Sequence, residues 1–310
     1  MEETVKNTPN KETHVGKTIL KVVVYTLLTI GALIMILPFY WMVISSVKSE
    51  PEFRQSIPTF FPEYFSWKNY SNVMDYNSGA FVTSLCNTLI VGLFSTGLGV
   101  ILTIITAYAF AKMEFKGKDL LFTILLGTMM IPGELYTTTN YVTVGKAGLG
   151  WNNTYVVMIV PFLISIYYIF LLRNNFKQIP DSLYKAAKVD GTSDLGFLIK
   201  VMVPLTAPTL ISITLLKFIG SWNSYIWPQL VNQSNDWRLI SSWMQSTFVD
   251  REGVLTSAEA LAKGELWAYA DGMSSLKMTA ACIVSAPLFI LFVFFRKYIM
   301  RGVSRSGTKG

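Results

Sequence analysis

Few side chains in this 310-residue chain have the types and spacing that catalysis or metal binding requires. The one histidine, His14, lies in a polar N-terminal stretch, and the two cysteines, Cys86 and Cys282, lie far apart in or beside apolar segments. These positions form neither a disulfide framework nor a metal-ligand spacing. The chain also has no Gly-x-x-x-x-Gly-Lys-Ser/Thr loop for nucleotide phosphates. We therefore expect no bound metal, no cofactor and no catalytic centre on this chain.

The remaining candidates are polar residues inside or beside long apolar stretches. Polar groups are costly in a bilayer and usually face an aqueous cavity there, so they are candidates to line a path across a membrane. Alternatively, the Pro-Gly pair at 132–133 only kinks a helix, Glu134 faces the outer loop, and Trp227 is an anchor at the membrane interface. Lys217, in the middle of an apolar stretch, either snorkels or pairs with an acid on a partner. The candidates for the path are Glu134, Asn140, Trp222, Asn223 and Tyr225.

The composition indicates an integral membrane protein built of helices. Hydrophobic residues make up 52% of the chain and charged residues only 15%, against about 25% in a typical soluble domain. A membrane-spanning helix needs ~20 predominantly apolar residues. Six stretches qualify, approximately 20–46, 86–111, 120–139, 153–173, 205–228 and 276–297. The first of them is too long to be a removed signal peptide.

The distribution of lysine and arginine predicts the orientation. If both termini are cytoplasmic, the N-terminal tail, residues 112–119, residues 173–204 and the C-terminal tail lie inside. These segments hold 17 of the 26 basic residues but 8 of the 19 acidic ones, which agrees with the positive-inside rule. The net charge of +7 is then a property of the cytoplasmic face, and it gives no support to nucleic-acid binding.

The pattern predicts a single membrane domain with short tails. Residues 1–17 form a cytoplasmic tail, 18–300 the transmembrane domain with its core at 83–297, and 301–310 a second cytoplasmic tail. Outer loops are expected at 47–85, whose aromatics suit the headgroup zone, and at 229–275. The second loop contains an amphipathic stretch, about 257–271, that either lies on the membrane surface or contacts a soluble partner.

Between the fourth and fifth spans the chain contains PDSLYKAAKVDGTSDLGFLIKVMVP, Pro180–Pro204. Asp181 is placed to cap a helix that begins at the next residue, and Gly191 can end that helix in the left-handed conformation. Ser193 can cap a second helix, which Pro204 interrupts. We call this predicted helix–Gly–helix unit the elbow.

The first helix of the elbow has a face suited to contact with another protein. Leu183, Ala186 and Ala187 share one side at helical spacing, whereas Lys185 and Lys188 project elsewhere. Small alanines allow a partner to approach the backbone closely, and a simple connection would need only a few polar residues. The elbow is therefore interpreted as a docking element.

These residues resemble the EAA loop of ATP-binding-cassette importer permeases. That loop has Glu-Ala-Ala, two residues, Asp-Gly, about nine residues and then aliphatic-x-aliphatic-Pro. Asn87–Lys118 resembles the second span of the carbohydrate branch of this family, Ser221–Leu230 its Trp-Asn-x-aromatic segment, and Gly307–Gly310 its Gly-x-Lys-Gly terminus. The positions that match the loop pattern are Ala186, Ala187, Asp190, Gly191, Val201, Val203 and Pro204.

The resemblance implies the type I importer permease fold, with six transmembrane helices and a cytoplasmic coupling helix in the coupling loop, 174–204. It implies three kinds of partner: a second, different permease subunit, a dimer of ATPase subunits that uses ATP and Mg²⁺, and an extracytoplasmic sugar-binding protein. The permease itself is not an enzyme. The residues expected to contact the ATPase are Lys185, Ala186, Ala187, Asp190, Gly191 and Pro204.

One position departs from the family pattern. Lys185 stands where the family has glutamate, so any charge-paired contact with the ATPase is reversed or dispensable. A degenerate, inactive half-transporter is an open alternative. Two other classes of membrane protein are alternatives. A secondary transporter would show repeated halves, and a membrane enzyme would need catalytic groups within its spans. Neither pattern is visible in the sequence.

Overall fold

The structure is a computed structural model that describes residues 11–75, 80–145, 148–232, 234–249 and 274–307. Within these ranges the chain forms helices joined by turns, and none of the described residues lies in a strand. The helices, in chain order, are α1 Lys11–Ser46, α2 Glu50–Phe53, α3 Lys68–Asp75, α4 Ala80–Lys112, α5 Lys118–Thr128, α6 Gly133–Val144, α7 Tyr155–Ile159, α8 Ile166–Lys177, α9 Asp181–Val189, α10 Asp194–Phe197, α11 Val203–Leu205, α12 Ala207–Trp222, α13 Ile226–Val231, α14 Ile240–Met244 and α15 Ser274–Gly307. Short 3₁₀ segments occupy Val160–Phe162 and Asn235–Trp237, and π segments occupy Leu198–Met202 and Gln245–Val249.

Three helices of the described part are long and apolar enough to cross a membrane, and five segments qualify if each of two bent pairs is one span. The continuous helices α1, α4 and α15 contain the predicted spans 20–46, 86–111 and 276–297. One bent pair joins Tyr155–Phe162 to α8 at 45°, and the other joins Asp194–Leu205 to α12 at 83°.

The predicted span 120–139 is interrupted rather than continuous. Helix α5 ends at Thr128 and α6 begins at Gly133, with a turn between them. Pro132, the N-cap of α6, has no backbone N–H and disfavours helical geometry in the residue before it. The Pro-Gly pair therefore ends one helix and starts another.

Helix α4 is the centre of the bundle, with α8 and α12 packed against it, while α15 packs against α12 and α1. Its buried face is built of small residues, which allow close approach of the neighbouring helices. At Gly92, for example, an added Cβ would lie 2.9 Å from the ring of Phe218 on α12. The small buried residues of α4 are Ser84, Thr88, Gly92, Ser95, Thr96, Gly99, Thr103 and Ala107.

A hydrophobic cluster lies at the end of the bundle that carries α9. Phe110 and Phe122 pack there against Leu172 and Phe176 of α8. The guanidinium of Arg173 lies 3.8 Å from the ring centre of Phe122, and its Nε donates to the carbonyl of Phe110 at 3.1 Å. These contacts hold α8, which leads directly into the elbow, against α4 and α5.

At the other end of the bundle, residues 226–232 and 234–249 fold back against the helices. This stretch overlaps the predicted outer loop 229–275, yet Ile240 and Trp243 are fully buried. The amide of Asn87 on α4 donates to the carbonyls of Asp236 and Arg238 at 2.7 and 3.1 Å. The expected amphipathic stretch at 257–271 lies outside the described residues.

Candidate functional site

The elbow has the turn that the sequence predicts. Helix α9 ends at Val189, and Gly191 follows with φ of +71°, a conformation that favours glycine. The hydroxyl of Ser193 then accepts a hydrogen bond from the amide of Gly196 at 3.1 Å and caps α10. Helical geometry continues to Leu205, one residue past Pro204, where the chain bends into α12.

The predicted cap of the first helix is wrong by one residue. Helix α9 begins at Asp181 with Pro180 as its N-cap, so Asp181 lies in the first turn and its side chain caps nothing. Its carboxylate instead forms an ion pair with Lys112 Nζ at 2.5 Å, and Lys112 also donates to the carbonyl of Ile179 at 2.9 Å. The hydrogen bond and charge of Lys112 lower the pKa of Asp181. The last residue of α4 thereby holds the start of α9.

A second set of contacts closes the elbow on itself. Asp194 accepts hydrogen bonds from the Tyr184 hydroxyl at 2.6 Å and from Lys188 Nζ at 2.9 Å. The Tyr184 ring also packs edge-on against Phe197, with ring centres 5.2 Å apart. The pKa of Asp194 is lowered mainly by the hydrogen bond from Tyr184 and, after that, by the hydrogen bond and charge of Lys188. The carboxylate is therefore charged at neutral pH. The sequence reasoning missed this clamp, although Tyr, Lys and Asp flanking a Gly turn were a visible signal.

The outer face of α9 is not covered by any of the described residues. Lys185, Ala186, Asp190 and Gly191 are exposed, and Ala187 is half-buried. The apolar Val189 is 88% exposed. The two sets of tethers thus hold a helix that presents Ala186 outward, whereas Ala187 packs against the hydrophobic cluster of Phe110 and Phe176. This arrangement suits a rigid contact with another protein.

A cavity of about 820 Å³ lies between α4, α8 and α12. Two of the helix interruptions border it: the turn at 129–132 and the break between Phe162 and Ile166. Non-helical backbone at membrane depth is tolerated where it lines a cavity. Its wall combines aromatic rings with hydroxyl groups, the chemistry that binds sugars. The aromatic, hydroxyl and charged lining residues are Ser95, Thr128, Tyr136, Phe162, Ser165, Tyr167, Tyr168, Lys217, Ser221, Ser224 and Trp227.

The predicted path residues whose side chains are described are not part of the wall of this cavity. The side chain of Glu134 lies outside the described residues, and the other four do not line the described cavity. Asn223 and Tyr225 are exposed at the break between α12 and α13, and Asn140 is half-buried on α6. Their contact with a transported molecule stays a prediction.

Two tryptophans in the same motif have different environments. Trp222 is 1% exposed, and its Nε1 donates to the carbonyl of Val284 on α15 at 3.1 Å. Trp227, which the sequence also allowed as a membrane-interface anchor, donates to the carbonyl of Val157 at 2.9 Å and lines the cavity. The sequence named Trp222 and not Trp227 as a path candidate, because both lie in one short aromatic motif in which periodicity does not show which ring faces a cavity.

The chain resembles known proteins over almost its whole length. The arabinooligosaccharides transport system permease protein AraQ of Halalkalibacterium halodurans is 28% identical over 290 residues, which cover 92% of this chain and 96% of that protein. The trehalose/maltose transport system permease protein MalG of Thermococcus litoralis is 30% identical over 294 residues, with the same coverages.

A solved structure also matches. A chain of a bacterial ABC transporter involved in the import of the acidic polysaccharide alginate is 26% identical, with a TM-score of 0.79 over 96% of this chain and 99% of that chain. The profile of one protein family matches residues 99–305. The chain therefore belongs to the family of binding-protein-dependent transport system inner membrane components.

Proposed function

We propose that this chain is the permease subunit of an ATP-driven importer of a sugar or oligosaccharide. The observation that carries the proposal is the family membership together with chain-long similarity to permeases of sugar transport systems. The cavity supports it, since its wall offers aromatic faces and hydroxyl groups. A secondary transporter or a membrane enzyme is not favoured, because the relatives are permease proteins of transport systems and the matching structure is that of an ABC transporter involved in import.

The elbow is the proposed contact with the ATPase. Its α9 is held at its start by Lys112 and across the turn by Asp194, and it presents Ala186 outward. A helix tethered in this way can transmit displacement, because it cannot yield independently of α4 and α8. Closure of the ATPase dimer, which uses ATP and Mg²⁺, would press on α9 and rock the helices around the cavity.

The proposed assembly contains this chain, a second and different permease, two ATPase subunits and an external sugar-binding protein. The chain would cross the membrane six times with both termini in the cytoplasm. Its C-terminal segment, including residues 301–310, would reach the ATPase pair. In support, α15 continues as a helix to Gly307. The two permeases would each supply part of the path.

The test is reconstitution of the tagged chain, with the subunits that co-purify with it, into proteoliposomes. The cognate binding protein is first screened for thermal stabilisation by a sugar panel. We expect uptake of the sugar found in this way to require ATP inside the vesicles and loaded binding protein. Uptake that an ion gradient drives without ATP would overturn the proposal.

A further inference from the structure

Lys217 is a buried cation in the wall of the cavity. It lies on α12 in the middle of an apolar helix, and only 8% of its surface is exposed. Its Nζ donates to the carbonyls of Phe162 and Leu163 at 2.8 and 3.2 Å. The side chain therefore reaches across to the break before α8 and does not snorkel towards the end of its own helix.

The surrounding backbone makes room for this side chain. A Cβ added at Gly99 of α4 would lie 2.0 Å from Lys217 Cε and 2.7 Å from the carbonyl oxygen of Leu163. The break in the helix leaves these carbonyls without their usual partners four residues on, and unsatisfied carbonyls are costly in a membrane. Lys217 meets that need with two of its three N–H donors.

The positive charge itself is not neutralised by these contacts. Carbonyls are neutral acceptors, and the ion pairs found among the described residues do not include Lys217. Among the described residues that line the cavity, Lys217 is the one with a charged side chain. A buried charge without a counter-ion is costly and usually has a functional role. A neutral donor would have been enough to bind the two carbonyls.

We propose that Lys217 recognises a carboxylate on the transported molecule, so that the importer accepts acidic sugars, of the uronic-acid class. This inference rests on the proposed function and names its substrate class. The third donor of the ammonium would bind the carboxylate, and a charge-assisted bond of this kind is stronger than a neutral one. Aromatic residues of the wall, such as Tyr168 with its ring centre 6.0 Å from Nζ, would pack against the sugar ring.

The test uses the complete transporter in proteoliposomes with its own binding protein. The probes are labelled trigalacturonate and the same trisaccharide with its carboxylates methyl-esterified, which lacks the negative charges and carries one added methyl group on each carboxyl. The variants are Lys217→Gln, whose amide keeps two donors for the carbonyls but has no charge, and Lys217→Arg, which keeps the charge. Thermal unfolding of each purified complex is measured in parallel.

We expect the wild type and Lys217→Arg to prefer the acid over the ester. We expect Lys217→Gln to lower that preference at least tenfold while its unfolding temperature stays within a few degrees of the wild type. If Lys217→Gln slows both probes equally, or if the wild type imports neutral oligosaccharides but not the acid, the inference is overturned and the proposed function stands. If no sugar of any kind is imported with ATP, the proposed function fails as well.

Discussion

The hydroxyl of Tyr184 and the carboxylate of Asp194 are joined by a 2.6 Å hydrogen bond across the Gly191 turn. The bond links the middle of α9 to the first turn of α10, so the two arms of the elbow cannot open independently. Lys188 binds the same carboxylate, and its ammonium lies 5.4 Å from the centre of the Tyr184 ring. The four-residue turn is thus closed by side chains as well as by backbone.

Removal of this clamp should loosen the coupling between ATPase and transport. We expect Asp194→Ala to reduce stimulation of ATPase activity by loaded binding protein about two- to fivefold, a modest effect because the carboxylate is partly exposed. Asp194→Asn keeps an acceptor for Tyr184 and should have a smaller effect. The measurement is ATP hydrolysis with and without binding protein in the reconstituted complex. Equal stimulation in the wild type and Asp194→Ala would contradict a role for the clamp.

Gly191 should tolerate asparagine but not valine. Space is not the constraint, because a Cβ added at this glycine would meet nothing within 4 Å. The constraint is the φ of +71°, which costs a side-chain-bearing residue ~1 kcal/mol or more and is least tolerated by β-branched residues. We expect Gly191→Val to insert and to pair with the second permease but to lose the ATPase subunits on purification, whereas Gly191→Asn should keep them. A Gly191→Val complex with full ATPase content and uptake would exclude the elbow as the docking element.

Lys185 tests whether shape or charge governs the docking contact. Its side chain is exposed at the position where the loop pattern that the elbow resembles has glutamate, yet the turn retains its geometry with lysine there. Exposed ion pairs typically contribute ~0–1 kcal/mol, so we expect Lys185→Glu to change uptake less than about fivefold. The control is the same measurement at high salt. A larger loss of uptake in Lys185→Glu, together with a loss of uptake by the wild type at high salt, would indicate an acidic partner site on the ATPase.

The sequence predicted the elbow well because its geometry is local. Gly191 at a positive φ and Ser193 as a helix cap follow from backbone preferences that neighbouring residues determine. The family resemblance then supplied a fold that local patterns alone could not assemble. The position of Asp181 was missed by one residue, because its interaction is with Lys112, 69 positions away in the chain.

The cavity was harder to predict, because its wall is assembled from distant segments. Hydropathy does not separate a lipid-facing residue from a buried one, since both are apolar. The sequence therefore favoured Trp222 as a path residue, although Trp227 is the ring that lines the cavity. Hydropathy also could not show that residues 226–232 and 234–249 fold back onto the bundle. Lys217 stood out in the sequence, but its partners are carbonyls 54 and 55 positions away.

Trp222 and Asn223 should separate packing from transport. Trp222 is buried among Phe81, Trp243 and Leu276, so Trp222→Ala should cost about 3–5 kcal/mol of stability and lower the yield of intact complex. Asn223 is exposed next to the cavity, and Asn223→Ala should change stability by no more than ~0.5 kcal/mol. Unfolding temperature and sugar uptake are measured together. A stable Asn223→Ala complex with unchanged uptake would remove Asn223 from the path.

Gly99 and Gly97 provide a matched pair on α4. A methyl group added at Gly99 would overlap with both Lys217 and the carbonyl oxygen of Leu163. The carbonyl is part of the backbone, so it cannot move aside alone. At Gly97 the same methyl group meets nothing within 4 Å.

We expect Gly99→Ala to destabilise the complex by about 1–3 kcal/mol, as overpacked interiors do, and to lower uptake because the break before α8 is displaced. Gly97→Ala adds the same methyl group to the same helix without this contact, and alanine is the better helix former by up to ~1 kcal/mol. Its stability should be equal to or above that of the wild type. The measurement is thermal unfolding of both variants in one detergent, followed by uptake. Equal unfolding temperatures for the two variants would show that Lys217 can leave the carbonyls without a loss of stability. In that case the contact between α4, α12 and the helix break does not shape the cavity.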